Sequence, residues 1–204
     1  MINERMQAWG RERAKRVAAW MLWTGLTPNA LTIIGLLLNC IVAVVLGRGW
    51  LLAGGILVLA AGLFDLLDGA MARITDQVTP FGSFFDSTLD RYSEVVLYGG
   101  LLIYILGTPD ARLGAVLIHL TICGSILVSY ARARAESLGY TLQVGLLARP
   151  ERILLLAAGL ILGRPIWALW VLAIFTNVTA IQRIYHLWST TDHTARTPSA
   201  GEGG

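Results

Sequence analysis

The sequence predicts an all-α integral membrane protein, six transmembrane helices preceded by an N-terminal amphipathic interfacial helix. Three observations predict it. The chain is 55% hydrophobic and only 14% charged, with a mean hydropathy of +0.64, too apolar for an ordinary soluble domain. Its apolar residues are gathered into several runs of helix length, separated by turns that contain Gly and Pro. The basic residues alternate with those runs: 13 of the 16 Lys and Arg lie in the N-terminal segment, the second-to-third and fourth-to-fifth regions and the C-terminal region, while the opposite turns hold only Arg48, Arg112 and Arg164. The positive-inside rule then places both termini in the cytoplasm and makes the chain a multi-pass protein of the cell membrane. At 204 residues it reads as one domain over 27–189, with a juxtamembrane helix over 1–26 and a small, polar, disordered tail over 190–204.

Residues 2 to 23 are read as the amphipathic helix. Met6, Trp9, Val17, Trp20 and Met21 share a face, into which Arg13 intrudes, and the other basic residues take the opposite side. A basic leader that sets topology accounts for the same charges, and both readings suit a membrane protein better than nucleic-acid binding does. Gly25 suits a helix stop, and Thr27-Pro28 a fresh start with Thr27 as N-cap and Pro28 as first helical residue. The first spanning helix runs from about Pro28 to Leu46, its N-terminus offering free backbone N–H groups. The second spans about Trp50 to Ile74, about 37 Å of helix. Pro80 can open the third, which runs from about Phe81 to Leu106, and Gly107 to Asp110 form a turn. The fourth runs from about Arg112 to Leu138. The fifth opens at Arg149-Pro150, but its apolar part, Ile153 to Leu162, is short for a full crossing. Gly163-Arg164-Pro165 turns the chain into the sixth, about Ile166 to Trp188.

The chemistry is concentrated between Phe64 and Asp90. Apolar or glycine sequence from Leu51 to Phe64 runs into Asp65-Leu-Leu-Asp68-Gly69-Ala-Met-Ala72-Arg73, then after eight residues into Gly82-Ser-Phe-Phe-Asp86-Ser-Thr-Leu-Asp90. Carboxylates at membrane depth are costly and default to functional candidates. Asp65, Asp68 and Ala72 fall at i, i+3 and i+7 on one helical face; Asp86 and Asp90, at i and i+4, share a face of the next helix. Two antiparallel helices could bring the four acids together. Packed so closely, they could not all stay ionised without a cation. Hard oxygen donors without His or Cys favour Mg²⁺, Mn²⁺ or Ca²⁺ over zinc. Gly69, Ala72 and Gly82 keep space open beside the acids, and Arg73 adds a forked cation suited to phosphate or to one of the acids. Cys40 and Cys123 lie inside apolar runs as small core residues, and His119, His186 and His193 are too scattered to form a metal cluster.

Asp-x2-Asp-Gly-x2-Ala-Arg-x8-Gly-x3-Asp-x3-Asp, eight fixed positions across 26 residues, resembles the signature of the CDP-alcohol phosphotransferases, integral membrane enzymes of phospholipid synthesis. The resemblance implies displacement at the phosphate joining CMP to a lipid, with Mg²⁺ or Mn²⁺ as cofactor. It implies Asp65, Asp68 and Asp86 as metal ligands, and Asp90 as proton acceptor that also touches a second metal. It implies contacts to the CDP-lipid from Asn29, Ala30, Leu31 and Thr32, and from Gly69, Arg73 and Thr79. Without it, Asn29 to Thr32 read equally as ordinary capping and Thr79 as a loop threonine. A homodimer is also implied.

The acceptor alcohol is read from arginines. Arg132, Arg134, Arg149, Arg152 and Arg183 all fall near the cytoplasmic ends of the last three helices. A neutral alcohol would not need them, whereas a phosphorylated polyol would be matched by Arg forks; positive-inside anchoring is the plainer alternative for each. Ser129-Tyr-Ala-Arg132-Ala-Arg134-Ala-Glu136, Arg149-Pro-Glu-Arg152 and Gln182-Arg183 resemble the actinobacterial members of the family that join CDP-diacylglycerol to 1D-myo-inositol 3-phosphate, giving phosphatidylinositol phosphate and CMP. That finer resemblance implies phosphate binding by Arg132, Arg152 and Arg183. The rivals are a phosphatidylglycerolphosphate synthase using glycerol 3-phosphate and, from another class, a cation or proton transporter using the acids as a relay.

Overall fold

Proline at helix starts and glycine past helix ends punctuate this chain, and the structure follows that punctuation. The computed structural model describes residues 27–74, 79–142 and 144–196, with the side chains of 66–74 and 192–196 outside the description. Six helices occupy the described residues: α1 (Pro28–Gly47), α2 (Leu51–Ile74), α3 (Pro80–Leu106), α4 (Ala111–Ser137), α5 (Arg149–Ile161) and α6 (Pro165–Arg196). The expected interfacial helix over 2–23 lies outside the described residues.

Three of the helices end alike. After α1, α4 and α5 the chain turns through Gly49, Gly139 and Gly163 at φ +83°, +85° and +65°. In each case the glycine N–H and the next N–H fold back onto helix carbonyls: Gly49 to Leu46 and Trp50 to Val45, Gly139 to Glu136 and Tyr140 to Ala135, Gly163 to Leu160 and Arg164 to Gly159. This paired closure satisfies the last carbonyls, and only glycine takes the left-handed turn without a Cβ penalty. Two starts are also alike. Thr27 precedes Pro28 and accepts the Ala30 N–H on Oγ1 at 3.2 Å; Thr79 precedes Pro80 and accepts the Gly82 N–H on Oγ1 at 2.9 Å. Such caps satisfy donors that the first helical turn leaves orphaned.

The chain divides into two compact units, residues 1–104 and 105–204. In the first, Leu31, Val42, Leu46, Val58, Leu97, Tyr98 and Leu101 are buried. Here α1 meets α3 backbone to backbone, since a Cβ on Gly100 would stand 2.2 Å from the Ala43 carbonyl oxygen. In the second, Leu117, Val128, Leu156, Leu160, Leu169 and Leu172 are buried. There α4 and α6 meet at Gly124, where a Cβ would stand 2.2 Å from Thr176 Oγ1, and Asn177 Nδ2 donates across to the Leu120 carbonyl at 3.0 Å. Small residues that admit close helix approach are how helices associate where lipid removes the hydrophobic drive.

Large apolar side chains point outward instead. Ile33, Leu37, Ile41 and Val44 form an exposed stripe along α1, and Trp167, Trp170, Ile174, Ile181, Ile184 and Trp188 one along α6. Faces this apolar belong against lipid rather than water. Three helical segments are long and apolar enough to cross a membrane, Pro28–Gly47, Ala111–Ser137 and Pro165–Thr191, and Leu51–Asp65 is a shorter apolar segment. The structure thus gives an all-helical membrane protein among its described residues. It also moves one boundary: α6 continues as helix to Arg196, past the expected start of the tail at 190. Ser189 and Thr190 turn their hydroxyls onto the His186 carbonyl and Thr191 onto those of Leu187 and Trp188, so polar residues that favour loops are here committed to the helix.

Candidate active site

Sequence-predicted residues fall in both units. In the first unit Asp65 is half-buried near the end of the apolar part of α2, and Asp86 and Asp90 are half-buried one turn apart near the start of α3. Gly35 on α1 shapes the ground beside Asp65: a Cβ there would stand 3.0 Å from Asp65 Oδ1. Gly35 carried no signal in the sequence, where it looks like any glycine of an apolar helix. Asp68, Gly69 and Arg73 lie on α2, their side chains outside the description. Among the described residues no three acids, histidines or cysteines form a metal-binding group, so Asp65, Asp86 and Asp90 do not by themselves make one. The donors fit a hard divalent cation by their chemistry: every one is a carboxylate.

The start of α3 lies beside the start of α1. A Cβ on Gly82 would stand 3.0 Å from Thr79 Oγ1 and 3.3 Å from Asn29 Oδ1, so three of the residues singled out in the sequence converge at two neighbouring helix N-termini. What they offer differs from the expectation of free amides. The Ala30 N–H is held by Thr27 Oγ1 and O, and the Leu31 N–H by Thr27 O at 3.2 Å. Leu31 is 4% exposed and its side chain belongs to the core, while Thr32 turns its hydroxyl onto the Pro28 carbonyl. The Asn29 side chain and the partial positive charge of two adjacent N-termini remain to meet an anion. Thr79 is first of all a cap.

In the second unit the arginines separate by burial. Arg152 is 3% exposed and Arg183 7%, whereas Arg132 is exposed and paired with Glu136, Nε to Oε1 at 2.8 Å. Arg132 and Arg152 both lie close enough for their charges to act on Arg183, with Glu136 offsetting them. Arg183 braces three pieces of chain: Nε donates to the Val144 carbonyl at 2.9 Å and Nη1 to the Val128 carbonyl at 2.5 Å, tying α6 to α4 and to the segment that links α4 to α5. Arg152 Nη1 reaches the Leu147 carbonyl of that segment at 3.5 Å, and the Leu147 N–H donates to Thr179 Oγ1 at 3.3 Å. The segment is thus held from within by the residues expected to bind the acceptor. Sequence reasoning picked out Arg183 by its place near a helix end and by the Gln182-Arg183 resemblance, but this bracing was not visible there.

The chain is thus a helical membrane protein with acids near the ends of two helices and two buried arginine forks. The chain belongs to the CDP-alcohol phosphatidyltransferase family, whose model matches residues 25–182. It is 37% identical over 183 residues to the phosphatidylinositol phosphate synthase of Mycobacterium marinum, covering 85% of this chain and 78% of that one. It is 36% identical over 178 residues to the archaetidylinositol phosphate synthase of Pyrococcus horikoshii, covering 86% and 90%. Among solved structures it resembles Mycobacterium tuberculosis phosphatidylinositol phosphate synthase with CDP-DAG bound, at TM-score 0.78 and 30% identity over 94% of this chain and 98% of that one. It also resembles that enzyme in complex with manganese and citrate, at TM-score 0.79 and 31% identity, over 94% and 93%.

Proposed function

We propose that this chain transfers the phosphatidyl group of CDP-diacylglycerol to 1D-myo-inositol 3-phosphate, giving phosphatidylinositol phosphate and CMP. The observation that carries the acceptor is the burial of Arg152 and Arg183 in a chain with the complete acid motif. Buried guanidinium forks suit a dianionic phosphate and are a costly way to receive a neutral alcohol. The relatives' names support the same acceptor, since phosphatidylinositol phosphate synthases and archaetidylinositol phosphate synthases share the inositol phosphate and differ in the lipid.

Asp65, Asp68, Asp86 and Asp90 would hold a divalent cation, Mg²⁺ or Mn²⁺. When bound, such a cation neutralises diphosphate charge and holds the reacting groups in line. Asp90 takes the proton of the attacking hydroxyl, the alcohol oxygen forms a bond to the β-phosphorus, and the bond from that phosphorus to the CMP oxygen breaks. Asn29, the capped turn Ala30 to Thr32, Gly69, Arg73 and Thr79 receive the CDP moiety; Arg132, Arg152 and Arg183 receive the acceptor phosphate. All six helices cross the membrane in this reading, with residues 1–26 lying at the interface and the active site facing the cytoplasm. At 13 residues α5 is about 20 Å long and relies on its neighbours to complete its crossing. The working form is a homodimer.

The test is CMP release by the purified protein with CDP-diacylglycerol and Mg²⁺ or Mn²⁺, comparing inositol phosphate, glycerol 3-phosphate and free inositol. Release with inositol phosphate alone is the expected result. Release with glycerol 3-phosphate instead overturns the acceptor, and folded protein inactive with all three overturns the reaction.

A further inference from the structure

The segment between α4 and α5 passes over Arg183 at a single glycine. Gly145 has φ +148°, a backbone conformation that residues with a Cβ rarely adopt. A Cβ built there would stand 2.7 Å from Thr179 Cγ2, 3.4 Å from Arg183 Nε and 3.5 Å from Arg183 Nη2. The residue before it, Val144, supplies the carbonyl that holds Arg183 Nε, and Leu142 and Leu147 are buried on either side. The guanidinium is therefore fixed on two of its nitrogens by backbone, Nε by Val144 and Nη1 by Val128. Nη2 has no hydrogen-bond partner among the described residues, and a Cβ at 145 would lie in contact with that nitrogen.

We propose that Gly145 is a specificity-determining positioning residue: it lets the α4–α5 segment lie against Arg183, locking the fork while keeping its Nη2 edge open to a phosphorylated acceptor. This rests on the acceptor reading above. The geometry separates two effects of a side chain at 145. Contact with Thr179 Cγ2 would push the segment away, whereas contact with Nε and Nη2 would cover the anion-binding edge. Thr179→Ser removes the first contact and keeps Oγ1, which accepts the Leu147 N–H and donates to the Phe175 carbonyl.

The experiment measures initial rates of CMP release by wild type, Gly145→Ala and Gly145→Ala/Thr179→Ser, varying inositol phosphate and CDP-diacylglycerol in turn. Losing one charge-assisted bond to the acceptor raises its KM about tenfold. Both variants are expected to show that rise, with the KM for CDP-diacylglycerol within about twofold of wild type, a split that general misfolding would not give. If the single variant does not fold, the double variant, relieved of the Thr179 contact though not of the backbone strain at 145 and still carrying the methyl beside Nη2, decides the matter. An acceptor KM that returns to the wild-type value in the double variant, or KM values that rise together, overturns the assignment. Wild-type turnover of glycerol 3-phosphate instead overturns only the choice of acceptor, and Gly145 is then judged on the KM for that phosphate. Wild type inactive with every phosphorylated acceptor overturns both.

Discussion

Asp90 and Arg183 state the problem at the residue scale. Asp90→Asn keeps the shape of the side chain and removes the base, so transfer is expected to fall by about 10²- to 10⁴-fold while CDP-diacylglycerol still binds; rates beside equilibrium binding check this, and full activity would remove Asp90 from its role. Arg183→Ala deletes the donors to the Val128 and Val144 carbonyls as well as the proposed phosphate contact. It is expected to raise the acceptor KM more than that for CDP-diacylglycerol and to lower stability by about 1–3 kcal/mol in a thermal melt. Arg183→Lys keeps the charge but not the fork, and should recover less than half of either loss. The acids were legible in the sequence because their spacing is local and their cost in a membrane is high. Gly35 and Gly145 were not, because each acts by the absence of a Cβ beside a residue far away in the chain, and an absence has no pattern until the partner is seen.

Elements were legible where proline and glycine mark them. Thr-Pro opens α1 and α3, and a left-handed glycine closes α1, α4 and α5, so their ends fall within a residue or two of expectation. The end of α6 was not, since Ser189 to Thr191 read as loop formers until their hydroxyls bond back onto the helix. Packing between elements yields a sharper prediction from two adjacent residues. A Cβ on Gly99 meets nothing within 4 Å, whereas one on Gly100 would enter the backbone of α1 at Ala43. Gly99→Ala is expected to be neutral or to stabilise by up to about 1 kcal/mol through helix propensity. Gly100→Ala is expected to destabilise by about 1–3 kcal/mol, because a backbone cannot step aside as a side chain can. Thermal midpoints in one detergent compare them, and equal midpoints would contradict the α1–α3 approach.

For the whole molecule the predictions concern metal and orientation. Chelation with EDTA is expected to abolish CMP release, with recovery on adding Mg²⁺ or Mn²⁺; activity that survives exhaustive chelation would remove the cation from the reading. In a cysteine-free background, Ser83→Cys and Thr108→Cys should react with an impermeant thiol reagent from opposite faces, the first from the cytoplasm. Labelling of both from one face would overturn the crossing of α3. The membrane class was legible in the sequence through composition, while Arg and Lys supply only an expected direction of insertion, which the labelling tests. The sequence could not reveal how the arginines are shared between bracing and binding, since that depends on which carbonyls the folded chain brings to them.

The paired Thr-Pro starts have a mechanical consequence. Because α1 and α3 each begin at a capped turn, and the absent side chain of Gly82 lets those two turns lie side by side, the starts of the two helices pack against each other. With both helices crossing as proposed, a bilayer a few ångströms thicker or thinner would be accommodated by tilt and by fraying at their far ends, near Arg48 and Leu106. Substrate geometry would stay constant while lipid composition varies, as befits an enzyme embedded in the material it manufactures.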